Sequence, residues 1–178
     1  MSPDANYHIL LVEDSPTDAG LINANLRLGL GVVNVERVDR LADAVAALNR
    51  EQFSVVLLDL NLPDSSGMDT FRQLSARSNA TPIIVLSGME DTETAIEAVS
   101  AGADDYVQKN HYDAETIARS VRFAIERNSR RSAERELLSV RSELNAAQRI
   151  QDSLYPDAPP NISGLDVACG IKSAGIGC

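Results

Sequence analysis

Five side chains suited to phosphoryl chemistry stand at the ends of apolar runs. Val55-Val56-Leu57-Leu58 ends on Asp59, and a loop of Pro63, Asp64, Ser65, Ser66 and Gly67 follows. His8-Ile9-Leu10-Leu11-Val12 ends on Glu13 and Asp14, Ile83-Ile84-Val85-Leu86 ends on Ser87, and Asp105-Tyr106-Val107-Gln108 ends on Lys109. Alone, Asp59 is as readily a cap for its loop as a reactive group, and Ser87 reads as a strand-end cap. Together they say more. In an open parallel sheet, chemistry sits just beyond the carboxyl ends of the strands. Three carboxylates gathered there repel one another and raise their own pKa values unless a cation joins them. A hard divalent ion with oxygen ligands answers that need, and Mg²⁺ suits it best. A carboxylate beside Mg²⁺ is a nucleophile toward phosphorus and gives an aspartyl phosphate. Lys109 supplies a point charge for the phosphoryl group, and Ser87 a hydrogen bond to another of its oxygens. The sequence has no Ser-His-Asp set, no Gly-rich phosphate loop and no P-loop Lys. The residue types therefore suit neither acyl transfer nor redox chemistry.

The intervening stretches read as helices. Ser15 caps a helix that Pro16 opens, with Ala19, Ile22 and Leu26 as its apolar stripe and Gly29 and Gly31 as its end. Val32 to Glu36 reads as a strand. Asp39 is expected to cap a helix carrying Leu41, Val45 and Leu48, and Gly67 precedes a short one carrying Met68, Phe71 and Leu74, broken at Thr81-Pro82. Residues 91–100 read as a helix with Ala95, Ile96 and Val99 facing inward, stopped by Ala101-Gly102. Asp113 caps another with Ile117, Val121 and Ile125. Strand and helix alternate five times, which predicts a parallel sheet covered by helices on both faces.

Composition sets outer bounds. The 178 residues suit one domain plus an extra segment, and 44% hydrophobic content supports a packed core. Only 4% is aromatic and there is no Trp, so that core is expected to be aliphatic. A net charge of -10 argues against a nucleic-acid partner, which would call for a basic face. Cys169 and Cys178 have no ligand pattern around them and read as free thiols of a reducing cytoplasm. The chain opens without a signal-peptide pattern, and no apolar run approaches a membrane span. A cytoplasmic location and no membrane partner are the expectations.

Helical patterning continues past Ile125. From Arg127 to about Leu154 there is neither Gly nor Pro, so one helix is expected from about residue 114 to 155. Leu137, Val140, Leu144, Ala147 and Leu154 fall on an a/d heptad seam, with Gln151 in one a position and Ile150 off the seam. The stretch reads either as a solvated single helix or as a homodimer through this coiled-coil linker; a lone helix would expose these residues, so pairing is the expectation. Pro156, Pro159 and Pro160 end the helix, and Leu165 to Cys169 alternates like a strand.

The set Glu13-Asp14, Asp59, Ser87 and Lys109, with Gly102-Ala103-Asp104-Asp105-Tyr106 before the Lys, resembles a bacterial two-component response-regulator receiver domain across roughly residues 6–127. The resemblance implies a flavodoxin-like, five-stranded parallel sheet in order 2-1-3-4-5. It implies Asp59 as phosphoacceptor for a sensor histidine kinase and Lys109 and Ser87 as phosphoryl-binding groups. It implies Mg²⁺ held directly by Asp14, Asp59 and the backbone carbonyl of Asn61, and largely through water by Glu13. It implies Ser87 and Tyr106 as the switch pair, although Tyr106 alone would read as a half-buried aromatic. One departure stands out: the family usually has Pro after the Lys, in a cis peptide, and Asn110 stands there. A cis bond before a non-proline residue costs about 2.5–4 kcal/mol, so a trans peptide is expected.

A second resemblance lies downstream. Residues 147–156 look like the opening of a metal-dependent serine/threonine phosphatase (PPM-type) of the bacterial stress-regulator kind, and residues 172–177 resemble that family's first-strand region. It implies residues 128–155 as a helical linker, residues 156–178 as the incomplete start of a phosphatase-like output domain, and a downstream partner of the anti-sigma or anti-anti-sigma type. The family's metal-binding Asp would come next, after Cys178. No phosphatase activity is therefore expected of residues 1–178. The rivals are a phosphatase enzyme in a longer chain, a stand-alone receiver acting by protein contact and, disfavoured because no helix-turn-helix and no basic patch follows the receiver, a DNA-binding regulator.

Overall fold

A computed structural model describes residues 7–78, 80–88, 92–109 and 113–153. It divides into two compact units, Met1–Ser132 and Ala133–Cys178. In the first unit, β1 (Tyr7–Val12), β2 (Val33–Val38), β3 (Val55–Asp59), β6 (Ile83–Ser87) and β7 (Asp105–Gln108) form one sheet. Every pairing in it is parallel and the order is β2-β1-β3-β6-β7. Counting these strands alone gives 2-1-3-4-5, the expected order. The strands β4 (Asn61–Leu62) and β5 (Ser65–Ser66) make a small antiparallel ladder in the loop after Asp59.

Alternation along the strands splits the core in two. Leu10, Val12, Val56, Leu58, Ile83 and Val85 pack under α2 (Leu41–Arg50), α3 (Met68–Ser75) and α4 (Thr92–Ser100). Ile9, Leu11, Val55, Leu57, Ile84 and Leu86 pack under α1 (Pro16–Leu30) and the first turns of α5 (Ala114–Ser153). Both faces of β3 are thus buried, as its unbroken Val and Leu run requires. That two-sided cover fixes the sheet's carboxyl edge, from which Glu13, Asp59 and Ser87 emerge.

Several local expectations change. Ile96 and Val99 of α4 are exposed; the buried pair is Ala95 and Ala98. These lie three residues apart on a narrow stripe, and Ile96 and Val99 fall to its outer side. Gly29 lies inside α1 instead of ending it; Gly31, at φ 82°, is the terminator. A Cβ at Gly29 would lie 2.1 Å from the Ala114 carbonyl oxygen, so that residue permits the approach of α5. Asp39 does not cap α2. Arg40 precedes that helix without a side-chain bond, and Asp64 accepts from the N–H groups of Leu41 (2.9 Å) and Ala42 (3.0 Å). A carboxylate from a distant loop does the work of a local cap. Against an opposing push from burial, those bonds hold the Asp64 carboxyl below its ordinary range. The helix carrying Phe71 ends at Ser75, well before Thr81-Pro82.

Asp113 caps α5 as expected, accepting from the Thr116 N–H at 2.6 Å. The helix runs without interruption to Ser153. In the second unit Leu137, Val140, Leu144 and Ala147 are all exposed. Among the described residues, no helix is long and apolar enough to cross a membrane. The seam position Leu154, the Lys109-Asn110 peptide, both cysteines and the phosphatase-like residues 156–178 lie outside the described residues.

Candidate functional site

The sheet's carboxyl edge gathers the residues singled out by sequence. At the end of β1, Glu13 is fully buried while Asp14 is exposed. Their loop turns at once into α1, where the Ser15 hydroxyl accepts from the Asp18 N–H at 3.3 Å and Pro16 takes the first helical position. The Glu13 carboxylate accepts from the Ser15 N–H at 3.2 Å. Asp59 closes β3, and its Oδ1 accepts from the Asn61 N–H at 3.1 Å. One carboxylate oxygen from each of Glu13, Asp14 and Asp59 lies within 4.8 Å of the others.

Lys109 is the cation that this crowd requires. Its Nζ lies 2.5 Å from Asp59 Oδ2, 2.7 Å from Glu13 Oε2 and 3.8 Å from the Asp18 carboxylate. Burial favours the neutral amine, but the bonds to Asp59 and Glu13 outweigh it and hold the ammonium above its ordinary 10.5. For Glu13 the balance goes the other way. Burial, with the neighbouring Asp59 charge, raises its carboxyl above 4.5 although the Lys109 bond opposes.

Two switch candidates flank the cluster. Ser87 ends β6 with its hydroxyl buried and without a hydrogen-bond partner among the described residues. A buried polar atom left unsatisfied costs free energy, which makes this hydroxyl stand out from its apolar strand. Tyr106, on the neighbouring β7, is half-buried against the core beneath α2, α3 and α4. Glu13, Asp14, Asp59, Ser87 and Lys109 therefore lie at one edge, while Tyr106 pairs with Val85, two residues before Ser87; the Asn61 N–H bonds Asp59.

Sequence reasoning missed Arg37. From the end of β2 its guanidinium donates to the carbonyl oxygens of Glu13 (3.0 Å) and Asp14 (2.8 Å), clamping the backbone of the acidic loop. Nothing in a lone Arg on a strand signals this; the β1–β2 register, which pairs Val12 with Val38, brings it alongside. The short loop after Asp59 is tied down as well, by bonds to the Leu60 carbonyl from the Gly67 N–H (2.9 Å) and the Thr70 hydroxyl (2.9 Å). The all-oxygen donor set and three convergent carboxylates fit a hard divalent cation such as Mg²⁺.

Comparison with known proteins agrees with this geometry. The response regulator receiver domain family matches residues 9–122. The cell cycle transcriptional regulator CtrA of Caulobacter vibrioides is 38% identical over 111 residues, 62% of this chain and 47% of that protein. The chain thus spans about half the length of the curated relatives it matches. That relative also corrects the inference from charge: a receiver alike at this level belongs to a transcriptional regulator, so net acidity does not exclude a nucleic-acid role. Among solved structures, an adenylate cyclase from Rhodopirellula baltica shares the fold (TM-score 0.65, 24% identity, 75% of this chain and 98% of that one). The receiver domain of a sensor histidine kinase from Pseudomonas aeruginosa, solved with a magnesium ion coordinated in its active-site cleft, gives TM-score 0.58 and 29% identity over 68% of this chain and 99% of that one. With the family matched across both faces of the sheet and its acidic edge, the chain belongs to the response regulator receiver domains of two-component signalling.

Proposed function

We propose that residues 6–127 act as a phospho-accepting switch in which Asp59 takes a phosphoryl group from a sensor histidine kinase. The observation that carries this reading is the Asp59 carboxylate held at 2.5 Å by Lys109 within a cluster of two further acids. An Asp59 oxygen forms the new bond to phosphorus as the phosphorus–nitrogen bond to the kinase imidazole breaks, and the bonding pair stays with the ring nitrogen. Lys109 follows the phosphoryl oxygens as a charged donor. Glu13, Asp14, Asp59 and the Asn61 carbonyl would hold Mg²⁺, which when bound neutralises charge on the transferring group. Asp14 would serve as a direct ligand, and Glu13 would act largely through water.

Ser87 then donates its unpartnered hydroxyl to a phosphoryl oxygen. Its inward movement vacates space that the Tyr106 ring fills, which changes the face made by α4, β7 and α5. Phosphorylation biases a two-state equilibrium, and the helical linker of residues 128–155, paired with a second copy, carries the change to the output beyond Pro156. The test is incubation with Mg²⁺ and acetyl phosphate. Wild-type protein should gain one labile acyl phosphate and Asp59→Asn none. Equal labelling of the two would overturn the assignment.

A further inference from the structure

We infer that the linker helix pairs in parallel and in register with a second copy of this chain, and that Glu136 and Arg141 select that arrangement. The inference rests on the pairing proposed above and adds its orientation. In the second unit Leu137, Val140, Leu144 and Ala147 recur at spacings of three and four and are exposed, Leu137 by 70%. With Leu137 and Leu144 as a positions and Val140 and Ala147 as d positions, Glu136 and Glu143 occupy g and Arg141 occupies e. In a parallel, in-register pair each g residue lies beside the e residue five positions further along the partner. Glu136 then meets the second copy's Arg141, and the two-fold symmetry repeats the contact on the other flank. An antiparallel pair instead sets g against g, bringing acid to acid.

A second observation concerns what these charges do within one helix. A solvated helix is commonly supported by opposite charges three or four residues apart. Glu136 has Ser132, Ala133, Ser139 and Val140 at those distances, and Arg141 has Leu137, Leu138, Leu144 and Asn145. Glu143 has Ser139, Val140, Ala146 and Ala147. None of these neighbours is charged, and among the described residues none of the three makes an ion pair. Charges that border an apolar seam and find no partner on their own helix match a partner helix beside it. A second copy supplies both the apolar seam and charges of the opposite sign in the right places.

The experiment is sedimentation equilibrium of residues 1–178 as wild type, Glu136→Arg, Arg141→Glu, and an equal mixture of the two variants. Each substitution alone sets like charges on both flanks and should weaken self-association about tenfold or more. Glu and Arg have similar helix propensities, so circular dichroism should show the helix content unchanged. Mixing the variants should restore association to about the wild-type level, because the basic flanks of one then meet the acidic flanks of the other. A dimeric wild type whose association is unchanged or strengthened in either variant would overturn the parallel register while leaving the pairing intact. A wild type that is monomeric throughout would overturn the pairing itself. Neither result touches Asp59 labelling, which stands or falls separately.

Discussion

The helix α5 carries two apolar stripes with opposite fates. In its first turns Ile117, Val121 and Ala124 are fully buried beneath the sheet with Leu57 and Ile84. Past Ala133 a stripe of the same periodicity meets nothing among the described residues: Leu137 and Leu144 are 70% and 55% exposed. One helix, one kind of spacing and two outcomes show what periodicity can establish. It reports that a face has a use for cover, and it is silent about what supplies the cover. In the receiver the answer lies in the alternating strand runs, which demand helices on both sides. In the linker no second run within the described residues answers the first.

The widest contrast is expected between Leu57 and Leu144. Leu57 is fully buried between β1 and β6, so Leu57→Ala removes buried methyl groups and leaves a cavity costing about 3–5 kcal/mol. Leu144→Ala removes apolar surface that water already reaches in the single chain, so receiver stability should move by less than about 0.5 kcal/mol. Self-association should fall instead. Urea unfolding followed beside sedimentation checks both. A loss of receiver stability in Leu144→Ala matching that of Leu57→Ala would erase the distinction between covered and uncovered stripes.

The same division governs how much is legible in the sequence. Strands β1, β3 and β6 announce themselves because their stretches Ile9–Val12, Val55–Leu58 and Ile83–Leu86 are buried and apolar at every position. Their carboxyl-terminal residues give the site, since the sheet's geometry leaves them nowhere else to be. Contacts made across the chain are not legible. Arg37 reaches the acidic loop through strand register, and Asp64 caps α2 from a separate loop. No local pattern encodes either partnership. For α4 the error comes from counting bulk: Ile96 and Val99 are the larger residues, yet Ala95 and Ala98 face the sheet. Gly29 reads as a terminator because a glycine near a helix end usually is one; its observed reason is the Ala114 backbone.

Charge at the site distinguishes the two regions by a smaller amount. Lys109 is 17% exposed and neutralises Glu13 and Asp59. Lys109→Met leaves those acids without their cation and should cost about 2 kcal/mol, below the cost for a fully enclosed pair because water still reaches the amine. The sign with pH follows from the raised ammonium. Its contribution is complete below the ordinary 10.5 and is lost as pH rises through the higher folded value. Wild-type stability should therefore fall across that alkaline window, and Lys109→Met should lack this fall. In the variant Glu13 is raised further, so stability should recover as the solution is acidified toward 4.5. The check is a series of urea titrations across pH. A variant with the wild-type alkaline fall would show that Lys109 does not carry it. Charge substitutions at Glu136 or Arg141 should leave this profile unchanged.

The smallest effect separates covered from uncovered surface within α1 alone. Gly20 and Gly29 both lie in this helix, where Gly costs about 1 kcal/mol relative to Ala. At Gly20 nothing stands within 4 Å of an added Cβ, so Gly20→Ala should recover that propensity and stabilise the receiver by about 0.5–1 kcal/mol. At Gly29 an added Cβ would meet the Ala114 carbonyl oxygen at 2.1 Å and the Ala118 Cβ at 2.7 Å. The first turn of α5 must then move away. Overpacking of this kind costs about 1–3 kcal/mol, and the gain in propensity offsets only part of it. Gly29→Ala should come out destabilised by about 1 kcal/mol. It should also loosen the Arg122 bond to the Gly29 carbonyl, now 3.3 Å. Melting temperatures of the two variants should shift in opposite directions from the wild type. Equal shifts of the same sign would mean that the approach of α5 to α1 is no tighter than ordinary helix packing, and that the start of α5 is no more firmly covered than its far end.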